Sequence, residues 1–374
     1  MRELLGWDML KRIEKIGKET VLVEFSQPME VVSTVPAIDT SGSFANAVEG
    51  LVFHTVPRDF DHRDLLSFYR EVLKSVGLKR GVVFLTAVPM DKLRYEVLDD
   101  KVHIFATIGL HPPACIEMSK LFNTYLTAST INIAIAVNFS LTLSAMADLL
   151  KVVSEAKAVA ASDSLLRCTS RACGTVTDAI AILKPIDAGS QVLFVGVSTE
   201  LGNKVAKAIH KMIISEAMAR EASSVLKDVV GYGVEELLDL FLKVYRLSPI
   251  PGVSEDVVLK KAEELLTQFL KDPNVWSFLI AARELDLHGL SGTIVGLLRE
   301  EFEEDSKKII ADELLGLTLA SYLGGAKAFF SMYWIERLKE RRSVEHWKSH
   351  MFEDDVISAL IASLLTRVLD IYST

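Results

Sequence analysis

The sequence contains little cysteine. Its three cysteines, Cys115, Cys168 and Cys173, are too few and too scattered for a disulfide framework or a zinc ribbon in a chain of 374 residues. We therefore expect all three to be thiols in a reducing compartment. The amino-terminal segment MRELLGWDMLKRIEK also lacks the apolar core of a secretion signal. Together these absences predict a cytoplasmic protein.

The sequence also lacks an excess of positive charge and a long apolar run. Its formal net charge is -9 and no dense cluster of Lys and Arg occurs, which argues against a nucleic-acid partner. The best candidate for a membrane span, residues 131–150, is interrupted by Asn132, Asn138 and Asp148, so we predict no membrane span. Hydrophobic residues make up 50%, enough for a core in each of two domains. The oligomeric state is left open, a homo-oligomer included.

The hydrophobic period changes part-way along the chain. Up to about residue 200, short apolar runs bounded by Gly, Pro or polar residues predict strands, with helical patterns between them. After about residue 226 the spacing is helical throughout. We predict an α+β domain with a mixed sheet and helices over residues 1–222, and an all-α helical bundle over residues 223–374. The predicted strands are ETVLVEF, MEVVSTV, GVVFLTAV, KVHIFATIG, TINIAIAV and QVLFVGV.

Three predicted helices of the second domain carry acidic residues in apolar surroundings. Glu284 lies in FLIAARELDLHGL, Asp312 and Glu313 begin one helix, and Asp354 and Asp355 begin the last. Carboxylates that converge between helices form sites for hard cations, and an all-oxygen ligand set suits Mg²⁺. Each acidic pair taken singly also fits a helix start favoured by the helix dipole. The three helices together predict a Mg²⁺ site.

These segments resemble the phosphatidylglycerophosphatase A-like family. The resemblance rests on ADELLG, FEDDVISALIAS and the Glu284 segment, and it covers about residues 226–374. It implies Mg²⁺-dependent hydrolysis of a phosphomonoester, in a soluble branch that includes α-ribazole-5′-phosphate phosphatases. It also implies a catalytic role for Asp355. The metal ligands that it implies are Asp312, Glu313, Asp354 and Asp355, with Glu284 as a further candidate.

Small polar residues collect beside strands of the first domain. A Gly/Ser/Thr turn before a helix offers backbone N–H groups to an anion or an oxyanion, although capping of the helix explains Thr199 as well. Glu155 and Lys157 lie two residues apart on a predicted helix, so they do not share a face. No Ser-His-Asp or Cys-His arrangement is evident. The polar residues are Asn132, Thr175, Thr177, Asp178, Thr199 and Gly202.

Taken in order, four motifs of this domain resemble the adenosylcobinamide amidohydrolase family over about residues 30–220. They are STINI at 129–133, SEAK at 154–157, GTVTD at 174–178 and STELG at 198–202, with Ser129 and Ser154 departing from the family pattern. The family cleaves the amide that joins aminopropanol to the corrin ring, so the corrinoid is substrate rather than cofactor. We expect acid/base work from Asp178 or Glu155 and charge stabilisation from Lys157. The expected substrate-binding residues are Asn132, Thr177, Thr175, Thr199 and Gly202.

The two resemblances predict a bifunctional hydrolase of cobamide salvage. One half would convert adenosylcobinamide to adenosylcobyric acid, and the other would dephosphorylate α-ribazole-5′-phosphate or cobamide 5′-phosphate. One alternative is a phosphatase of another phosphomonoester, such as phosphatidylglycerophosphate, beside a corrinoid-binding domain without catalysis. Another is a helical domain that binds no metal.

Overall fold

The chain divides into two units, Met1–Ala219 and Arg220–Thr374. The computed structural model describes residues 9–60, 63–117, 130–186, 191–305, 308–344, 347 and 349–372. In these residues the first unit combines a mixed sheet with helices, and the second unit is helical. The predicted fold class is therefore confirmed.

The described residues of the first unit form three α-helices and eleven strands. The helices are α1 (Leu65–Ser75), α2 (Leu143–Asp163) and α3 (Glu200–Met218). The strands are β1 (Leu10–Ile16), β2 (Thr20–Ser33), β3 (Ala37–Asp39), β4 (Ala47–Thr55), β5 (Arg80–Thr86), β6 (Arg94–Leu98), β7 (Val102–Ile108), β8 (Pro113–Cys115), β9 (Ile131–Val137), β10 (Ala172–Thr175) and β11 (Ala179–Pro185).

Most of these strands join one mixed sheet. Its order is β3-β5-β4-β2-β11-β9-β7-β6, and β1 pairs with β2 beside this path. β4 pairs with β5 and β9 with β11 in parallel, whereas the other pairs of this sheet are antiparallel. β8 and β10 form a separate two-stranded ribbon. This ribbon and the start of β9 carry the candidate residues of the first unit.

The sheet curls until distant strands meet. The Asn132 side-chain amide on β9 donates to the Leu85 carbonyl on β5 at 2.9 Å. In a flat sheet β5 and β9 would lie about 19 Å apart, because three strands stand between them and neighbouring strands are about 4.8 Å apart. The curled face encloses a core in which Phe53 stacks on Phe84 with ring centroids 4.8 Å apart. Alanines such as Ala134 on facing strands leave room for these rings.

Two strand predictions differ from the structure. ETVLVEF and MEVVSTV belong to the single long strand β2. The strand predicted for QVLFVGV is wrong, because only Val192 forms a bridge, with Leu141. The partner segment turns into helix α2 at Leu143, so no pairing partner continues beside it. The next residues, Leu193 and Phe194, are consequently exposed.

The second unit is built around its last helix. In α10 every residue from Asp355 to Thr366 is buried, and the helix packs against α5, α6, α7 and α9. A helix that is apolar on all sides is one that other helices surround. No helix in the described ranges is both long enough and apolar enough to span a bilayer. The helices are α4 (Ala222–Val230), α5 (Val234–Tyr245), α6 (Glu255–Phe269), α7 (Pro273–Leu290), α8 (Arg299–Glu303), α9 (Ala311–Glu340) and α10 (Met351–Tyr372).

Helix α9 is broken at Gly325. This residue has φ 68° and ψ -162°, a backbone conformation that is essentially restricted to glycine. The break folds the second half of α9 back towards the first, since a Cβ built on Gly316 would lie 2.5 Å from the Met332 methyl carbon. The same Cβ would lie 2.9 Å from Asp355 Cβ, so glycine at 316 also allows α10 to approach closely. This close packing brings three acid-bearing segments together.

Candidate functional site

A buried ion pair organises the polar residues of the first unit. Lys157 on α2 donates to Asp178, and the two side chains are only 12% and 10% exposed. Lys157 Nζ also donates to the Cys173 carbonyl at 3.1 Å. Asp178 accepts the Thr175 hydroxyl, the Thr175 N–H at 3.0 Å and the Ile131 N–H at 2.9 Å. Four donors therefore fix this carboxylate in place.

Gly174 makes the close approach of this pair sterically feasible. It has φ 149°, and a Cβ at this position would lie 2.1 Å from Asp178 Oδ2 and 2.2 Å from Lys157 Nζ. Any other residue would displace the ion pair. The glycine of the GTVTD motif is thus explained by packing against the two charged side chains.

Asn132 and Thr130 extend the network at the start of β9. The Thr130 hydroxyl lies 2.8 Å from the Thr177 carbonyl and 3.0 Å from Asn132 Oδ1. Thr107 stands opposite Asn132 in the pairing of β7 with β9, and it is fully buried. Within the described ranges the Thr107 hydroxyl has no hydrogen-bond partner, which is rare for a buried polar atom. It is available to a water molecule or a ligand group.

The remaining predicted residues of this unit contribute no side chain to the hydrogen bonds described around the ion pair. Glu155 is exposed on α2, and Thr177 is exposed and contributes its backbone carbonyl. The Thr199 hydroxyl accepts the Gly202 N–H at 3.1 Å and so caps α3. Gly202 is required for packing, because a Cβ there would lie 2.1 Å from the Gly196 carbonyl oxygen. Roles of these residues in acid/base chemistry or substrate binding stay predictions.

Two groups of carboxylates meet in the second unit and share Asp355. Oxygens of Asp312, Glu313 and Asp355 lie within 4.8 Å of one another, as do oxygens of Glu336, Asp354 and Asp355. Asp312 and Glu336 stand 24 residues apart on α9, which would separate them by about 36 Å in a straight helix. The break at Gly325 allows both to approach the same residue of α10.

Burial makes these carboxyl groups resist ionisation. It raises the pKa of Asp355 to about 9, with further contributions from the charges of Glu336 and Asp312. Burial and then the neighbouring Glu313 raise the pKa of Asp312 to about 7, and burial also raises the pKa of Glu336. Ionisation of all these carboxyl groups is thus unfavourable in the protein alone. A bound cation would stabilise their ionised forms.

Lys339 is the single lysine or arginine among the described residues that line this cavity. Its ammonium pairs with Asp354, lies 2.9 Å from Glu336 Oε1 and donates to the Ser358 hydroxyl at 3.1 Å. Burial lowers the pKa of Lys339, but the charges of Asp354 and Glu336 outweigh burial and raise it overall. One ammonium offsets only part of the acidic charge.

The carboxylates open into a cavity of about 650 Å³. The donor set is all oxygen, as Mg²⁺ prefers, and Asp312 Oδ1 is buried without a hydrogen-bond partner in the described part of the chain. A buried carboxylate oxygen without a donor is a fitting cation ligand. The residues present therefore fit one divalent cation, or two that share Asp355.

The adenosylcobinamide amidohydrolase (CbiZ) family matches residues 8–224. The chain belongs to this family. Its first unit is accordingly the amidohydrolase-family unit, and the family's chemistry is hydrolysis.

Two relatives come from Methanocaldococcus jannaschii. The uncharacterized protein MJ1330 is 34% identical over 116 residues, covering 31% of this chain and 88% of the relative. The uncharacterized protein MJ1613 is 27% identical over 231 residues, covering 54% of this chain and 87% of the relative. Neither relative has a name that states an activity.

Two solved structures match part of the chain at low identity. The low temperature requirement C protein from Listeria monocytogenes is 22% identical with a TM-score of 0.34, covering 41% of this chain and 95% of that one. Protein ypjQ from Bacillus subtilis is 16% identical with a TM-score of 0.34 and the same two coverages. At these TM-scores neither structure bears on function.

The cysteine prediction is wrong for two residues of the amidohydrolase-family unit. Cys115 and Cys168 form a disulfide, and Cys173 is a free thiol. The pairing of β8 with β10 places Cys115 opposite Ala172, close to the segment that leads from Cys168 into β10. The two cysteines are 53 residues apart in sequence, so only the fold brings them together.

Sequence reasoning missed several charged residues of the second unit. In the segment WIERLKE, Glu336 and Lys339 look like ordinary surface residues, yet in the structure Lys339 is buried and Glu336 is half-buried. Asp286 is fully buried and accepts the Phe352 N–H and the Glu353 N–H, both at 2.9 Å, so it caps the start of α10. Burial, followed by the charge of Glu353, raises the pKa of Asp286 to about 7.

Glu284 does not join either carboxylate group in the described part of the chain. It is half-buried on α7, two residues before the capping Asp286. Its predicted role as a metal ligand stays a prediction. The four other predicted ligands, Asp312, Glu313, Asp354 and Asp355, are brought together.

Proposed function

We propose that this chain is a bifunctional hydrolase of cobamide salvage. Its first unit hydrolyses the amide that joins aminopropanol to the corrin ring of adenosylcobinamide and yields adenosylcobyric acid. Its second unit removes the phosphate of α-ribazole-5′-phosphate, or of cobamide 5′-phosphate, with Mg²⁺. Family membership supports the first activity, and the two carboxylate groups that share Asp355 support the second.

The buried Lys157–Asp178 pair carries the proposal for the amide. A lysine ammonium has three donors, and Lys157 directs two of them to Asp178 and to the Cys173 carbonyl. The third is the donor that the substrate carbonyl oxygen would receive as negative charge develops on it. Asp178 holds the ammonium in this position, since its own oxygens accept four hydrogen bonds. The side chain of Asn132 is fixed in the same network and would position the substrate.

Product analysis tests this assignment. The purified full chain is incubated with adenosylcobinamide, and adenosylcobyric acid and aminopropanol are measured by mass spectrometry. We expect Lys157→Ala to lower the rate by about 100-fold, as removal of an oxyanion donor does. The matched control is Lys151→Ala, one and a half turns away on α2, where Lys151 is exposed and pairs with Asp148. Cobinamide that binds but stays intact would instead indicate a corrinoid-binding domain without catalysis.

The shared Asp355 carries the proposal for the phosphatase. Asp312, Glu313, Glu336, Asp354 and Asp355 would hold Mg²⁺, which would neutralise the charge of the phosphate and activate the attacking water. Lys339 holds Asp354 and Glu336 in place by its two ion pairs. A carboxylate of the set that is not engaged by a cation would orient the water or take its proton.

Phosphate release tests the second assignment. We expect the full chain to release phosphate from α-ribazole-5′-phosphate with Mg²⁺ and to stop when EDTA is added. Asp355→Asn should reduce the release to background. Asp370→Asn is the matched control, because Asp370 lies near the end of the same helix and pairs with the exposed Lys327. Phosphate release that persists in Asp355→Asn, or that continues when EDTA is added, would contradict the proposal.

A further inference from the structure

One wall of the cavity in the second unit carries aromatic and acidic side chains in succession, and the part with Phe329 and Tyr333 is its aromatic end. Phe329, Met332, Tyr333 and Glu336 all line it, and all belong to the second half of α9. Spacings of three and four residues place them on one face of the helix. The two aromatic rings and the Glu336 carboxylate therefore lie next to one another on the same wall of the cavity.

The two rings at the aromatic end are open to solvent. Phe329 is 40% exposed and Tyr333 is 57% exposed, although both line a cavity beside buried acids. Tyr333 is held by Arg337, whose guanidinium lies 5.8 Å from the ring centroid and donates to the hydroxyl at 3.1 Å. The edge of Phe330 packs on Phe329, with ring centroids 5.5 Å apart. Both rings are thus fixed by a neighbour and remain accessible.

The distance from rings to acids suits one small molecule. Tyr333 precedes Glu336 by three residues and Phe329 precedes it by seven, which corresponds to about 4.5 Å and about 10 Å along the helix axis. A molecule with its phosphate at the carboxylates would place its leaving group beside these rings. A flat aromatic group would cover the rings of Phe329 and Tyr333, whereas a sugar without such a group would leave them exposed to water.

We propose that Phe329 and Tyr333 select phosphomonoesters whose leaving group carries a flat aromatic ring. This inference rests on the phosphatase activity proposed above and adds the two residues that would recognise the aromatic part of its substrate. Stacking of a heteroaromatic ring on a protein ring strengthens binding. The aromatic end would therefore set the KM, and the carboxylates would set kcat.

Two phosphomonoesters that share a phosphorylated ribose test the inference. α-Ribazole-5′-phosphate carries an aromatic base, and ribose 5-phosphate does not. With the full chain and Mg²⁺ we expect Phe329→Ala and Tyr333→Ala each to raise KM for α-ribazole-5′-phosphate about tenfold, the lower part of the range for a lost stacking contact. kcat should stay near wild type, and kcat/KM for ribose 5-phosphate should not change. Phe329→Trp, which keeps a ring, should restore the KM.

The position control is Tyr322→Leu, since Tyr322 is 50% exposed on the same helix and does not line the cavity. It should leave both substrates unaffected. If the wild type hydrolyses both substrates equally well, or if the ring variants affect both alike, this inference is wrong while the phosphatase remains. If neither substrate releases phosphate, the proposed phosphatase itself is wrong. A short-chain lipid phosphate hydrolysed in preference to both would also overturn the aromatic selectivity.

Discussion

At the scale of single residues, the two candidate sites place charge in opposite ways. In the first unit an ammonium and a carboxylate are buried together, so Lys157 and Asp178 stabilise each other. In the second unit several carboxylates, two of them buried, gather around one ammonium, which leaves a surplus of negative charge. The charges of the first arrangement balance without a ligand, whereas those of the second would be balanced by a bound cation.

Gly174→Ala should separate the ion pair of the first unit. The new methyl group would overlap both Asp178 and Lys157, so the pair must move. We expect amide hydrolysis to fall about 100-fold, because the oxyanion donor is displaced. Gly77→Ala is the control, since Gly77 also has a positive φ (76°) but its Cβ would meet open space. Equal activity of the two variants would show that the pair does not contribute to catalysis.

The Asp355 carboxyl should make stability depend on pH in the metal-free protein. Its pKa is about 9 in the folded chain and about 4 when unfolded, so the folded state binds the extra proton between these values. Stability contributed by this group is full below about pH 4 and falls as pH rises towards about 9. The sign follows from the raised pKa of an acid.

Mg²⁺ should reverse this pH dependence, because the cation replaces the proton. We expect Mg²⁺ to raise the melting temperature more at pH 9 than at pH 5, measured by differential scanning fluorimetry. Asp355→Asn should lose most of the stabilisation by Mg²⁺ and should lose less stability than wild type between those pH values. Asp370→Asn should behave as wild type. A Mg²⁺ effect of equal size at both pH values would contradict the assignment.

At the scale of elements, one break in one helix assembles the metal-binding candidates. Asp312 and Glu336 belong to the two halves of α9, and both reach Asp355 of α10. The amino end of α10 is in turn held by Asp286 of α7. Three helices therefore fix the position of a single carboxylate. The disulfide between Cys115 and Cys168 has a comparable role in the first unit, where it joins β8 to the segment that precedes β10.

Gly325→Ala should weaken both the second unit and its cation site. The φ and ψ of Gly325 are essentially restricted to glycine, so alanine costs about 1–3 kcal/mol of unfolding free energy. Relief of this strain would move Asp312 away from Glu336 and lower Mg²⁺ affinity, measurable by isothermal titration calorimetry. Gly252→Ala is the control for strain alone, since Gly252 has φ 81°, meets nothing within 4 Å and lies outside the site. Unchanged Mg²⁺ affinity in Gly325→Ala would contradict this role of the break.

At the scale of the whole molecule, each candidate site lies within one unit. The residues of the ion pair all precede Ala219, and the carboxylates all follow Arg220. The two proposed activities should therefore be separable in the full chain. We expect Asp355→Asn to keep amide hydrolysis, and Lys157→Ala to keep phosphate release. A variant that removes both activities while the protein stays folded would show that the sites depend on each other.

The sequence alone determined the two fold classes and the family of the first unit. Hydrophobic period separates strands from helices because side chains alternate along a strand and recur every 3.6 residues along a helix. Motifs such as GTVTD are local, so the turn that holds Thr175 and Asp178 could be recognised from adjacent letters. The acids at the starts of α9 and α10 could likewise be found, since a carboxylate in an apolar run is conspicuous.

Which of those residues meet depends on how distant segments pack against one another. The Lys157–Asp178 pair, the disulfide and the approach of Glu336 to Asp355 all join segments that are distant in sequence. Glu155 and Glu336 look alike as letters, yet one is exposed and the other is half-buried against Lys339, because burial depends on the helices that pack around each. Local pattern fixes the period of an element, whereas the curl of a sheet and a break in a helix fix its neighbours.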